Sequence, residues 1–564
     1  MAVILDGYVI SAPVLNVPLR DHASVSGNFS YREVNRLAAD LKSGAMSFIP
    51  EILSEEVVSP ELGSSQRLQG ILSIVLGLTA LIVLMSVYYK FGGVIASVAV
   101  LLNLLLIWAA IQYLDAPLTL SGLAGIILAM GMAVDANVLV FERIREEYLL
   151  TRSLSESVEA GYKKAFSAIF DSNLTTILAS ALLLMLDTGP IKGFALTLII
   201  GIFSSMFTAL FMTKFFFVIW VRKTRETQLH MMNKFIGIKH NFLKECKRLW
   251  MVSGTVVVLG CIGLGFGAWD SILGMDFKGG YALTLDADVC DYNPEQMCSV
   301  LKKRFQQIGL SSRDYRVRKA DSSGKVKIYL SQNALDWVER KDGGNVEQQG
   351  PDYHLARVLQ VLSDSGSSTS SMAFDASQGS WFKVSGQLSN KMRTQAIFAL
   401  LGALGIILLY VSLRFEWRYA FSAICALLHD LLATCSVLVA LHFFLQRIQI
   451  DLQAIGALMT VLGYSLNNTL IIFDRIREDR REKLFTPMPI LINDALQKTL
   501  GRTVMTTATT LSVLVILLFI GGGSIFNFAF IMTVGILLGT LSSLYIAPPL
   551  LLFMVRKEEQ NSPQ

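Results

Sequence analysis

Apolar residues in this chain gather into long unbroken runs instead of alternating or recurring at helical spacing. Eleven runs occur, at about 68–89, 91–112, 119–140, 165–186, 193–219, 249–269, 393–413, 418–440, 453–473, 503–522 and 528–554. Each has the roughly 20 residues needed to cross the hydrocarbon of a bilayer, so each predicts a transmembrane helix. Two of them carry interior polar positions, Asn103 and Ser121, which blur their ends.

Two stretches outside the runs follow other patterns. Near the start, Ala2-Val3-Ile4-Leu5, a turn at Asp6-Gly7 and Tyr8-Val9-Ile10 predict a hairpin. Tyr31, Val34, Leu37 and Leu41 then fall in helical register behind Ser30 and Glu33, a capping box. A hairpin and one helix bury too little surface to stand alone, so 1–67 reads as the end of a domain. In the second stretch, 280–286, 315–317 and 326–330 predict strands, with Ser323-Gly324 as a turn, and 294–308 predicts a helix. A further helix near Val358–Leu362 precedes Ser/Gly-rich sequence at 364–370, and the whole of 271–390 predicts a small α+β domain.

Composition agrees with the runs. The 564 residues are 53% hydrophobic and 16% charged, with a mean hydropathy of +0.51, which excludes a large soluble enzyme. The net charge of +5 sits beside the spans: connection 220–248 holds eight Lys/Arg and 474–502 holds seven, while 113–118 and 523–527 hold none. The basic connections mark the cytoplasmic side. Residues 1–67 and 271–390 are therefore expected outside, the Arg556-Lys557 tail inside, and no nucleic acid is expected as a partner. Asp6, Pro13, Pro18 and Arg20 rule out a signal peptide in the first 20 residues. An outside N-terminus with eleven spans then predicts that a region carrying one more span is missing upstream or occurs as a separate chain, the alternative being an N-terminal segment short enough to cross the membrane by another route. Cys290 and Cys298 fall on the outer side, where a disulfide closing a short loop and two separate thiols both remain open. Cys246, Cys261, Cys425 and Cys435 lie in or near spans as small packing residues.

Two blocks repeat. Gly131-Met132-Ala133-Val134-Asp135-Ala136-Asn137 leads into Phe141-Glu142-Arg143-Ile144-Arg145-Glu146, and Gly463-Tyr464-Ser465-Leu466-Asn467-Asn468-Thr469 leads into Phe473-Asp474-Arg475-Ile476-Arg477-Glu478. Such repeats build transporters about a pseudo-two-fold axis. Asp135 lies inside an apolar run, where a carboxylate is expensive and so a candidate for function, the plainer alternative being a capped polar group near the boundary. Asn137, Asn467, Asn468, Thr469, Thr506 and Thr510 are candidates for a polar path or a second-repeat site, although the threonines can equally bond back to helix carbonyls. His429-Asp430, inside or beside a span, is a candidate proton relay, a structural histidine being the equal alternative. Glu142, Arg143, Arg145 and Glu146, with Asp474, Arg475, Arg477 and Glu478, predict short cytoplasmic helices with i,i+3 or i,i+4 ion pairs, a merely solvated face being the plainer alternative. No GxxxxGK[ST], HExxH or assembled nucleophile and base occurs, so neither an enzyme, a metal site nor a cofactor is expected.

Several motifs in order resemble one known family. Leu5-Asp6-Gly7, Ser11-Ala12-Pro13, Leu41-Lys42-Ser43-Gly44-Ala45 and Gly131 through Glu147 are similar to the C-terminal part of SecD. Gly274-Met275-Asp276-Phe277-Lys278-Gly279-Gly280, Leu413-Arg414-Phe415-Glu416-Trp417-Arg418, His429-Asp430, the Asn467 motif and Arg502-Thr503 are similar to SecF. The resemblance implies an α-helical polytopic membrane protein of the bacterial inner membrane, with two pseudo-symmetric repeats of the resistance-nodulation-division type. It divides the chain into 1–67, the end of a SecD-like outer domain; 68–220, five SecD-like spans; a linker at 221–248; 249–270, the first SecF-like span; 271–390, the SecF-like α+β domain; 391–555, five more spans; and a tail at 556–564.

The same resemblance implies an accessory role in Sec preprotein export driven by proton-motive force, with protons as the coupling ion. It implies as partners the SecYEG translocon, YajC, YidC, the translocating preprotein, a separate N-terminal SecD portion and the bilayer. It also implies that Arg502 partners or regulates Asp135, the plainer alternative being an arginine that snorkels to cytoplasmic headgroups and sets orientation. Where the family carries an aspartate after the motif asparagine, this chain has Asn468, which cannot carry a proton, leaving Asp135 as the expected titrating centre. A subunit that braces the Sec channel and a proton-coupled small-molecule antiporter are the alternatives.

Overall fold

Among the described residues, eleven helices are long and apolar enough to cross a membrane, one on each of the eleven apolar runs. The computed structural model describes residues 3–5, 8–11, 30–44, 54–57, 60–185, 189–224, 231–232, 240–263, 272–286, 294–308, 315–320, 325–331, 380–445, 448–483 and 485–561. Met1–Leu53 and Ser54–Gln564 are two units. In the first, β1 (Val3–Leu5) and β2 (Tyr8–Ser11) pair antiparallel as the alternation predicts, with Leu5 opposite Tyr8. Helix α1 (Tyr31–Gly44) starts from the predicted capping box. The Ser30 amide donates to Glu33 Oε2 at 2.8 Å and the Glu33 amide donates to Ser30 Oγ at 3.4 Å. Hydrogen bonds from the Ser30 amide and hydroxyl hold the Glu33 carboxyl below its ordinary range.

In the second unit the first five spans are α2 (Pro60–Tyr89), α3 (Phe91–Tyr113), α4 (Leu120–Thr151), α5 (Leu154–Leu184) and α6 (Gly189–Phe207). The last continues through a π-turn at Thr208–Met212 into α7 (Thr213–Thr224). After α8 (Phe242–Gly263) comes the outer domain, with one helical turn, α9 (Met275–Lys278), and α10 (Pro294–Ile308). The second set is α11 (Gly386–Arg414), α12 (Trp417–Leu445), α13 (Leu452–Glu482), α14 (Met488–Ile520), and α15 (Gly523–Tyr545) with α16 (Ala547–Asn561). Pro548 and Pro549 open α16, where their missing amides are tolerated, so the last span breaks at Ile546.

Helices α4 and α13 form the centre and are almost wholly buried. Small residues allow this. A Cβ on Gly131 would meet Thr510 of α14 at 3.5 Å, and one on Gly463 would meet Thr176 of α5 at 3.2 Å. Each central helix thus lies against the threonine-bearing helix of the other repeat, close packing of the kind small residues permit in membranes.

Four helices outrun their apolar runs. Helix α4 reaches Thr151, α5 starts at Leu154, α13 reaches Glu482 and α14 starts at Met488. The expected short cytoplasmic helices after the motifs are therefore continuations of the spans. Hydropathy marks where lipid ends, whereas Arg and Glu at i,i+3 let the helix continue beyond it.

The outer sheet has order β3-β7-β4-β6-β5, all antiparallel, from β3 (Ser54–Val57), β4 (Gly280–Asp286), β5 (Tyr315–Ala320), β6 (Lys325–Leu330) and β7 (Ser380–Val384). Met297, Leu301 and Phe305, four residues apart on α10, are buried with Val317, Val326 and Ile328 of the sheet. Strands β4, β5 and β6 and the helix were expected; β3 and β7 were not. Ser-Glu-Glu-Val in β3 has no alternation to read, and its pairing with β7 joins segments more than 300 residues apart in the chain. Gly280 enters β4 with φ +118, and a Cβ there would lie 2.3 Å from the Leu330 carbonyl oxygen. Only glycine fits that turn. The helix expected at Val358–Leu362, the 364–370 stretch and Ser323-Gly324 lie outside the described residues.

Candidate functional site

Asp135 projects from the middle of α4 into the contact between the two repeats, only 7% exposed. Asn467 of α13 donates from Nδ2 to Asp135 Oδ2 at 2.5 Å. Arg502 of α14 donates from Nη2 to Asp135 Oδ1 at 3.5 Å. One carboxylate of the first repeat therefore holds two helices of the second. A cavity of about 10 Å³ beside it, the room one water molecule needs, is lined by Asp135, Tyr464, Asn467, Arg502, Ser172 and Asn173 among others. Among the described residues, the buried Arg502 Nη1 and Asn467 Oδ1 have no hydrogen-bond partner.

The other candidates along this path divide. Tyr464 Oη lies 3.0 Å from both the Thr506 carbonyl and Thr510 Oγ1, pinning α13 to α14 next to Asp135. Thr469, Thr506 and Thr510 each also bond back, to the carbonyls of Ser465, Thr503 and Thr506. Asn137 donates to the Ala133 carbonyl at 3.3 Å. Asn468 is buried with Nδ2 unpaired and makes no hydrogen bond to Asp135. The asparagine that meets the carboxylate is thus Asn467, the position equivalent to Asp135 itself.

His429 and Asp430 form a separate polar group on α12. Asp430 accepts from Ser465 of α13 and lies 3.1 Å from His429 Nδ1, while His429 Nε2 meets Ser253 of α8. Among the described residues no hydrogen bond links this group to Asp135. It ties α8, α12 and α13 together.

At the ends of α4 and α13 the motif residues do what their spacing did not disclose. Arg143 Nη1 lies 3.0 Å from Glu146 and 3.1 Å from Glu478, and Arg475 Nη1 lies 3.0 Å from Glu478 and 3.2 Å from Glu146. Local i,i+3 pairs close into a ring across the two repeats. The second signal was the repeat itself: equivalent arginines and glutamates facing each other across an axis pair both ways. Glu142 stays within the first repeat, accepting from Tyr89 Oη at 2.9 Å and from Arg145. Asp474 lines a neighbouring cavity.

A link from this centre to the outer domain was also missed. Asp276 Oδ2, in the Gly274–Gly280 motif, accepts from the Leu452 amide at 2.9 Å, and Asp451 Oδ1 accepts from the Ala454 amide at 2.8 Å. Gly274 N donates to the Ile450 carbonyl at 2.7 Å, and Ile450 N donates to Ile272 at 2.8 Å. The helix that carries Asn467 is therefore capped by the chain entering the outer domain, where the helix dipole favours a carboxylate.

Among the described residues no group of three or more His, Cys, Asp or Glu is placed to hold a metal. Cys290 lies outside the described residues, and its pairing with Cys298 with it.

Sequence and fold comparisons agree with one another. The family described as protein export membrane protein SecD/SecF, C-terminal, matches residues 40–223 and 364–557, and the SecDF P1 head subdomain matches 1–48. The protein translocase subunit SecDF of Brucella abortus is 32% identical over 98% of this chain and 69% of its own length. SecDF of Thermus thermophilus, described as a translocon-associated membrane protein, is 28% identical with a TM-score of 0.77, covering 98% of this chain and 72% of that one. A SecDF structure in a super-membrane-facing form gives 28% and 0.66 over 88% of this chain and 63% of that one. The eleven-span fold with its outer sheet and the matched motifs together settle the question: this chain belongs to the SecD/SecF family of protein-export membrane proteins.

Proposed function

We propose that this chain couples proton movement at Asp135 to late translocation and release of unfolded preproteins by the Sec translocase. The contact of Asp135 with Asn467 and Arg502 across the repeat interface carries this reading. In the arrangement described, an ionised Asp135 compensates a buried guanidinium. Proton binding removes that charge and leaves Arg502 buried without a counter-ion, a penalty of roughly 3–5 kcal/mol. The repeats then favour a different arrangement, in which Arg502 finds water or another partner.

The caps at the start of α13 supply the route outward. A shift of α13 moves the Leu452 amide that Asp276 holds, and with it the strand β4 that follows α9. The 271–390 domain then moves where the preprotein emerges. This reading takes 1–67 and 271–390 as outside and the tail as cytoplasmic, from the basic connections. It takes SecYEG, with YajC and YidC, as the machinery engaged, and a SecD-like front portion as a partner in the cycle.

The test is preprotein release in sealed vesicles holding SecYEG and this chain, with and without a SecD front fragment, comparing the native chain with Asp135→Asn. Stimulation that depends on proton-motive force and disappears with the substitution is expected. Equal stimulation by both would instead establish a bracing subunit, a reading favoured by the Arg143–Glu478 and Arg475–Glu146 pairs that hold the repeats together. A change in small-molecule resistance without effect on export would point to an antiporter.

A further inference from the structure

We infer that a pocket at the membrane border between the repeats binds the phosphate-bearing headgroup of an anionic phospholipid. The cavity measures about 400 Å³ and lies among the ends of α4, α11 and α13 and the first half of α5. Such a volume is in the range of small-ligand sites. Its cationic walls are Arg143, Lys164, Arg414, Arg477 and Arg481, set against three carboxylates, Asp474, Glu478 and Glu482.

Where those charges are spent decides what the pocket can take. Arg143 is shared between Glu146 and Glu478, Lys164 is 2.6 Å from Glu147, and Arg414 is 2.7 Å from Asp171. Among the described residues, Arg477 and Arg481 have no carboxylate within ion-pair distance. Arg477 is held over the Phe415 ring at 6.0 Å, an attraction that leaves its N–H donors unused. Two guanidinium forks facing a cavity of net positive lining match a phosphate, whose oxygens take paired N–H donors. Basic pockets between transmembrane helices on this face suit anionic headgroups.

The level of the pocket selects a lipid over a free anion. Arg414 ends α11, and Trp417, 61% exposed, opens α12 in the position aromatic residues take at the interface. Phe166 and Phe170 on α5, stacked 6.4 Å apart, and Leu409 and Leu413 on α11 are exposed next to the residues that join those helices. A headgroup in the pocket would leave its acyl chains on this apolar surface. Because Arg143 and Glu478 belong to both the pocket and the cross-repeat ring, a bound headgroup touches both repeats at once.

The test is native mass spectrometry of the purified full chain titrated with phosphatidylglycerol or phosphatidylcholine, with and without excess inorganic phosphate. The native chain is expected to retain phosphatidylglycerol preferentially, and R477Q/R481Q to lose retention about 30-fold, at roughly fivefold per charge near an anionic headgroup. E482Q should gain about fivefold, a direction that misfolding cannot produce. Equal retention of the two lipids, or unchanged retention in these variants, would overturn the assignment. Displacement of the lipid by inorganic phosphate would overturn it too, making the pocket a site for a free anion.

Discussion

Asn467 Nδ2 stands 2.5 Å from Asp135 Oδ2, and these two residues, 332 positions apart, occupy the same place in the two repeats. The axis of internal symmetry therefore passes through a hydrogen bond whose two ends are chemically unequal. One side can bind a proton and the other cannot. Arg502 completes the asymmetry from the second repeat alone.

Removing the charge from Asp135 should separate stability from coupling. Asp135→Asn leaves Arg502 buried without a counter-ion and should lower stability by roughly 3–5 kcal/mol, whereas Asp135→Asn/Arg502→Gln, lacking both charges, should regain most of it. Neither variant should support proton-dependent release. Thermal unfolding in detergent beside the vesicle assay decides this; a double variant no more stable than the single one would show that the ion pair is not what holds Arg502.

Restoring symmetry should change the pH response. Asn467→Asp would place a second carboxylate at hydrogen-bond distance from Asp135, and two such groups share one proton because both cannot be ionised side by side. The pH midpoint of export stimulation is expected to rise. A midpoint that stays put while export continues would rule out Asp135 as the titrating group.

The spans, the repeat and Asp135 were legible because each is a local signal: apolar length, motif recurrence and a charge where lipid should be. Arg502 came from the family resemblance, since nothing in its spacing joins it to Asp135. The Arg143–Glu478 pair could not be read from periodicity, because i,i+3 spacing accounts for the same residues within one helix. Strand β3 escaped for a related reason. Its partner is fixed by tertiary pairing to β7 and by nothing in Ser54-Glu55-Glu56-Val57 itself.

The cap at the start of α13 should make stability depend on pH. Burial raises the Asp451 carboxyl above its ordinary value of 3.8, against opposing hydrogen bonds from Asn527 and the Ala454 amide. A folded-state value above the unfolded one contributes stability that is complete below the unfolded value and is lost as pH rises through the folded one. Asp451→Asn, which still caps the helix, should flatten that decline. Melting temperatures of both proteins from about pH 4 to 7 give the comparison; parallel curves would remove Asp451 as the cause.

The tie between α13 and the outer domain should matter for output more than for folding. Asp276→Ala deletes the acceptor 2.9 Å from the Leu452 amide, a loss of about 1 kcal/mol for an N-terminal cap, while Asp451 still holds the Ala454 amide. Asp135, Asn467 and Arg502 are untouched by the change. If α13 drives the outer domain through this contact, proton-dependent conformational change in the membrane should persist while preprotein release falls. Cysteine-crosslinking across α4 and α13, run beside the release assay, distinguishes the cases: full release in Asp276→Ala would mean that movement reaches the outer domain by another route, and loss of both signals would mean that Asp276 supports the fold of the centre itself.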